Sequence, residues 1–308
     1  MKRWSARTAA AAVPAAFPHI TRDWTSAGVM RDVLTALVPI VIASVWYRGP
    51  RVLAVMLVSV GACLVAESLA CALFHRPWSV PDGSAAVSGL LLALSLPAGV
   101  PLAAVAVGAA FSMLAVKALF GGIGRNFLNP ALSARMLVVL LSPSAFVPAS
   151  QPVSDLFLQF TRGDLSAGTA IGSSPALFLL LGGAFLYLRG VIRLTVPLSF
   201  LGVAAFLYWI FGGAYPLQGD AAAFILSHGI LPAAFFYATD YTTSPATRAG
   251  RLVFGLGAGL LTAVFLLAGR TGMGPFEAIL CMNAAAPLIE RITQPRSGGT
   301  GGAVNEKP

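Results

Sequence analysis

Charge is what this sequence has least of: only 10% of its 308 residues are Asp, Glu, Lys or Arg, where a soluble domain carries about 25%. With 57% of the residues hydrophobic, no polar shell is left to cover them, and a water-soluble globule is excluded. Cysteine is equally sparse. Cys63, Cys71 and Cys281 are odd in number and lie in apolar runs, which argues against a disulfide framework and leaves them as small buried hydrophobes. His19, His75 and His228 are too scattered to form a metal site. The chain also lacks a nucleotide-binding loop, H-E-x-x-H, C-x-x-C and a nucleophile elbow. Any redox chemistry therefore depends on a bound cofactor.

What the sequence does have is apolar length, with a mean hydropathy of +0.82 sustained along most of the chain. That pattern reads as an all-α, polytopic membrane protein whose surroundings are lipid. The 32 Gly and 21 Pro add many places for helices to break or approach closely, so discontinuous helices are expected. The net charge of +9 does not point to nucleic acid, because the basic residues fall between apolar segments instead of forming patches.

Apolar stretches bounded by charge, Gly or Pro predict about ten spans, at 32–47, 52–74, 84–97, 101–119, 130–142, 175–188, 194–212, 222–239, 252–269 and 275–290. Those at 84–97, 130–142 and 222–239 are short and read as half-helices or enclosed spans sheltered by their neighbours. The resulting organisation is a cytoplasmic tail at 1–27, a five-helix repeat at 28–142, an extracytoplasmic loop at 143–174, a second five-helix repeat at 175–291 and a cytoplasmic tail at 292–308. Ala9–Ala16 has the look of a signal peptide, but Pro14 interrupts a short apolar core, and the segment reads as an uncleaved tail.

Loop charge supports this topology. With both termini in the cytoplasm, sixteen of the twenty Lys and Arg fall on that side, including Lys117, Arg125, Arg135, Arg189, Arg193, Arg248 and Arg251. Arg48, Arg51, Arg162 and Arg270 fall outside. The two sets of five spans also echo each other, as an inverted repeat would. Residues 117–136 and 267–287 share a Gly-rich break followed by a helix bearing Asn and Pro, and the third span of each half ends at a Pro-marked break, SLP at 95–97 and TTSP at 242–245.

Three polar segments are candidates for chemistry. In the first, 121–131, Gly122, Gly124, Asn126 and Asn129 combine flexible backbone with two amides ahead of Pro130. Such a segment holds a polar ring or carbonyl, or is simply an interhelical turn capped by Asn129. The second is Asp82-Gly83-Ser84, an acid and a hydroxyl at a helix start, where an N-cap role is the plainer reading. The third, 238–248, is an island of hydroxyls around Asp240, suited to satisfying a broken helix or to lining a polar route. Ionisable groups inside apolar spans are functional candidates by default, so Glu67 and Glu277 join Asp82 and Asp240 as candidates for an ion path. Glu67 is expected to face the bundle interior or a partner, and Lys117 to snorkel toward the cytoplasmic headgroups.

At these motifs the sequence resembles the RnfD/NqrB family of membrane subunits from ion-translocating electron-transport complexes, and RnfD in particular. The resemblance rests on Pro18-His19-Ile20, Asp82-Gly83-Ser84, GLLLALSLP at 89–97, GGIGRNFLNPA at 121–131, the basic segment around Arg193, AFFYATDYTTSPATRAGR at 234–251, Met282-Asn283 and Pro287-Leu288-Ile289. It implies a ten-span, two-repeat fold similar to urea and ammonium channels. The implied work is electron transfer coupled to Na⁺ or H⁺ movement in a bacterial inner membrane, beside other membrane and peripheral subunits. Family members carry FMN linked to a Thr in the loop between spans five and six. Here 142–154 contains no Thr, and Thr161 and Thr169 lie later, on the approach to span six. Covalent FMN is therefore not expected. The family's noncovalent flavin, riboflavin or FMN, is the cofactor the resemblance leaves, with Asn126 and Asn129 as its polar contacts. Two other classes are open on the residues alone: a channel-like solute transporter, and a flavin-free scaffold subunit.

Overall fold

A computed structural model describes residues 25–121, 126–147, 156–163, 168–173, 175–269 and 272–294. The described residues are helical, and the only strand-like pairing among them is a single bridge between Pro97 and Ala170. Helix α1 (Ser26–Arg48) starts where the Thr25 hydroxyl accepts the Gly28 N–H at 3.2 Å. It turns at Gly49, whose φ of +82° suits glycine, directly into α2 (Pro50–Leu73). After a 3₁₀ turn, α3 (Ser84–Ser95) is short, and α4 (Leu102–Phe111) widens into a π-helical stretch, Ser112–Ala118. Helix α5 (Pro130–Leu141) follows a non-helical approach and begins on an Asn-Pro pair.

A short α6 (Leu156–Arg162) precedes α7 (Ala176–Leu188) and α8 (Thr195–Phe211). The apolar stretch at 222–239 is then cut in two. Helix α9 (Ala221–Leu226) ends at Ser227, the chain turns through His228 and Gly229 with positive φ, and α10 (Ile230–Pro232) runs on as the π-helical Ala233–Tyr237. Helices α11 (Arg248–Leu267) and α12 (Pro275–Thr293) complete the fold. Each apolar stretch read from hydropathy contains helix, that at 32–47 beginning six residues earlier and that at 222–239 broken in two.

Helices α1, α2 and α11 are each long and apolar enough to cross a membrane. Their outward residues are apolar: Leu57 and Val65 of α2 are 65% and 69% exposed. A water-facing helix carries polar residues there. The interior is built from close backbone approaches. Helix α2 packs on α3 and α4, α8 on α11, α11 on α12, and α1 on α7. At Gly89 in α3 a β-carbon would lie 2.7 Å from Val60 Cα, and the Ser59 hydroxyl donates to the Gly89 carbonyl at 2.7 Å. Small-residue contact with a hydroxyl across it is how helices associate when lipid supplies no hydrophobic drive.

The unwound end of α3 is closed by a distant segment. Ile171 and Gly172 donate their N–H groups to the carbonyls of Leu96 and Leu94 at 2.8 and 2.7 Å, and Ile171 is fully buried. Backbone groups that α3 leaves open are thereby satisfied away from water. One sequence expectation fails here: Cys281 is exposed on α12, because a thiol on an outward helical position meets the same apolar surroundings as its neighbours. Replacing Gly89 by Leu forces α2 and α3 apart; size-exclusion chromatography in detergent is expected to show loss of monodisperse protein, whereas Gly61→Leu, whose β-carbon meets nothing within 4 Å, leaves it intact.

Candidate functional site

The polar residues of the first and third candidate segments meet in one cavity of about 90 Å³ between the N-terminal and C-terminal sets of helices. Its polar wall contains Lys117, Asn126, Asn129 and Asp240, and its apolar wall includes Val33, Leu91, Phe235 and Phe236. Asn129 is the cap of α5 and also reaches across the bundle. Its side-chain oxygen accepts the N–H groups of Ala131 and Leu132 at 3.0 and 3.2 Å, capping α5, while its amide donates to Asp240 Oδ2 at 2.9 Å. Asn126 donates to the Leu128 carbonyl at 3.0 Å, holding the turn in place.

Asp240 lies just after the π-helical end of α10 and organises its own loop. Its Oδ1 accepts the Thr242 N–H at 3.1 Å and the Thr242 hydroxyl at 2.9 Å, and its Oδ2 accepts the Thr243 hydroxyl at 3.3 Å. Lost hydration raises this carboxyl above its ordinary range, and the bonds from Thr242, Thr243 and Asn129 pull it back down. The hydroxyl island thus serves first to satisfy a carboxylate at a helix break.

Behind the cavity wall sits a buried ion pair. Lys117 Nζ lies 2.8 Å from Glu67 Oε1 and donates to Ser84 Oγ at 2.6 Å, and the Ser79 hydroxyl donates to the same Glu67 oxygen. Lys117 therefore does not snorkel to headgroups. It is 5% exposed, turned inward on the π-helical end of α4 to neutralise Glu67, itself 4% exposed. Asp82 is not part of this cluster; its carboxylate accepts the Ser84 N–H at 2.7 Å and shapes the start of α3.

A second pair joins the two sets of helices elsewhere. Arg135 Nε meets Glu277 Oε1 at 2.7 Å, the other Glu277 oxygen accepts the Gly274 N–H at 2.9 Å, and Arg135 also donates to the Ser95 carbonyl at the end of α3. The guanidinium lies 4.6 and 5.0 Å from the ring centroids of Phe276 and Phe146. Charge alone places Arg135 in a cytoplasmic loop, yet it is 7% exposed inside α5. At about 1.5 Å per residue from Pro130, it sits well within the helix. Asn283, part of the family-like motif in α12, is fully buried, and neither polar atom of its side chain has a hydrogen-bond partner among the described residues.

The structure thus brings Asn126, Asn129 and Asp240 together and places Glu67 one contact behind them through Lys117. Glu277 and Asp82 are held apart from that cavity. Gly122 and Gly124 lie outside the described residues. Because an unpaired charge in a dry interior is far worse than no charge, Glu67→Ala is expected to destabilise the fold by about 3–5 kcal/mol, and the volume-matched double replacement Glu67→Leu with Lys117→Met by much less. Thermal unfolding in detergent, compared across the three proteins, measures the difference.

The sequence comparisons agree with one another. The description "NQR2, RnfD, RnfE family" matches residues 13–299. The chain is 34% identical to the D-type subunit of the Na⁺-translocating ferredoxin:NAD⁺ oxidoreductase complex of Acetobacterium woodii, over 92% of this chain and 93% of that one. It is 33% identical to the D-type subunit of the proton-translocating ferredoxin:NAD⁺ oxidoreductase complex of Clostridium ljungdahlii, covering 92% and 95%. It is also 33% identical to the D-type subunit of the ion-translocating oxidoreductase complex of Methanosarcina acetivorans, covering 94% and 97%. A match of this length across both halves of the helical array places the chain in the NQR2, RnfD, RnfE family.

Proposed function

We propose that this chain is the D-type membrane subunit of an ion-translocating oxidoreductase complex, coupling electron transfer to Na⁺ or H⁺ movement together with other membrane and peripheral subunits. The observation that carries this reading is the near end-to-end match to three relatives bearing that name. Purification of the intact complex from membranes, with its subunits identified by mass spectrometry, tests it. Recovery of the chain alone, without oxidoreductase subunits, would sink it.

The finer topology rests on the helices and the charges. Ten spans in two inverted sets of five, both termini cytoplasmic, are supported by the Pro-started helices α5 and α12, each preceded by a non-helical break, and by the paired halves of the cavity. Burial of Lys117 and Arg135 removes two residues from the cytoplasmic count without changing its sign. In a cysteine-free background, Arg125→Cys and Arg296→Cys are expected to react with an impermeant thiol reagent from the same side of the membrane. Reaction from opposite sides would overturn the topology.

The chemistry of the cavity lining suits a noncovalent flavin, although its volume of about 90 Å³ has to enlarge to admit the ring system. A flavin is flat and apolar across its faces and polar along one edge, and this cavity sets Phe235, Phe236 and aliphatic side chains opposite an amide, carboxylate and ammonium wall. A flavin bound here would supply one-electron or two-electron transfer. Asn126 and Asn129 would meet its polar edge, Lys117 and Asp240 would set the local charge, and Phe235 and Phe236 would exclude water. Replacing Asn126 and Asn129 together by Leu is expected to deplete flavin released on denaturing the purified protein. Unchanged flavin content discards the assignment, and a native protein without flavin favours a scaffold subunit. No residue is proposed for covalent FMN; a peptide from 142–170 carrying an added FMN mass would contradict this. Of the acids read as ion-path candidates, Asp240 borders the cavity, while Glu67 and Glu277 are neutralised by Lys117 and Arg135, so a route through either requires its pair to open.

A further inference from the structure

Beside the first cavity, and sharing Val191, Ile192, Thr239 and Tyr241 with it, is a second of about 260 Å³ lined by Arg193, Arg251 and Ser244. Arg193 precedes α8, and Arg248 and Arg251 occupy the first turn of α11. Arg193 and Arg248 both repel the Arg251 guanidinium, and Glu290 is the acid that attracts it. Glu290 is already engaged, its Oε2 accepting the Ala246 N–H at 2.8 Å. None of the three arginines makes an ion pair with a described residue, and Arg251 Nε is buried without a hydrogen-bond partner among the described residues.

This arrangement contrasts with the buried cations among the described residues, Lys117 and Arg135, each of which has a carboxylate of its own. It is unfavourable on three counts. Like charges converge, they stand at the positive end of the α11 dipole, and one of them is partly withdrawn from water with a donor unused. A bound anion relieves all three at once. The donors are forked guanidinium groups, which match tetrahedral phosphate oxygens in a way that a single ammonium does not, and Ser244 adds a hydroxyl. A basic pocket between helices is also where anionic headgroups are recognised.

We propose that Arg193 and Arg251, with Ser244, form a binding site for a phosphate-bearing anion, either the headgroup of an anionic phospholipid or free phosphate. The site is independent of the flavin reading, since it rests on the arginines and not on the asparagine wall.

The test uses the full chain purified in detergent. One arm exposes it to vesicles of phosphatidylcholine containing phosphatidylglycerol and counts retained lipids by native mass spectrometry; the other measures labelled inorganic phosphate by equilibrium dialysis. Retention of phosphatidylglycerol over phosphatidylcholine, weakened at least tenfold in R193Q/R251Q and unchanged in R291Q, supports the site and identifies the headgroup as its source; loss of a single charge-assisted hydrogen bond already corresponds to about that factor. Binding of inorganic phosphate with the same sensitivity, and no lipid preference, supports the site with free phosphate as the ligand. Equal binding by the native chain and R193Q/R251Q, or no binding of either probe by the native chain, overturns it. Should the glutamine pair fail to fold, the native chain decides the matter: excess inorganic sulfate is expected to displace the bound probe, and failure to displace it counts against the site.

Discussion

Polar groups in an apolar surround must find partners inside the protein, because lipid offers none. Nearly every distinctive contact in this chain follows from that constraint. Where α3 unwinds, the carbonyls of Leu94 and Leu96 are taken by Gly172 and Ile171, and that of Ser95 by Arg135. Where α10 ends, Asp240 is surrounded by Thr242, Thr243 and Asn129. Where α12 begins, Glu277 turns back to the Gly274 N–H while its other oxygen holds Arg135. The helix breaks that make a cavity possible are therefore the same places where distant parts of the chain are tied together. Arg135 alone joins α5, the end of α3 and the start of α12.

The two buried ion pairs take different positions in this scheme. Arg135 and Glu277 bind one set of helices to the other, so their attraction is spent on architecture. Lys117 and Glu67 both belong to the N-terminal set, and Lys117 also faces the cavity beside Asn126 and Asn129. A change of charge in that cavity is thus felt directly by Lys117 and, through it, by Glu67. The exposed pair of Arg189 with Asp32, by contrast, lies where water screens it and contributes little.

Helix positions are legible in the sequence because an apolar run bounded by Gly, Pro or charge has few other structural meanings at this hydropathy. The Asn129 cap is legible for the same local reason, Asn followed by Pro. What the sequence hides is partnership over long separations. Nothing in the neighbourhood of Lys117 points to Glu67, and nothing near Arg135 points to Glu277. Both cations read as loop residues because a charge at the edge of an apolar run is ordinarily solvated. The break at Ser227–Gly229 is legible only in part: Gly229 is an ordinary breaking signal and 222–239 reads as short half-helices, but nothing in the sequence marks His228 for the positive φ it adopts. Asp240 shows in the sequence as a polar island, but its bond to Asn129 across the bundle does not.

Both π-helical stretches, Ser112–Ala118 and Ala233–Tyr237, supply residues to the same cavity: Lys117 from one, Phe235 and Phe236 from the other. A π turn holds one more residue per hydrogen-bonded ring than its α counterpart. Winding either stretch as an ordinary α-helix would turn the chain after it by about 100° relative to the chain before it, so the π turn decides which side chains face the cavity. The ammonium group and the aromatic wall thus owe their common direction to the two wider turns of backbone on which they are mounted.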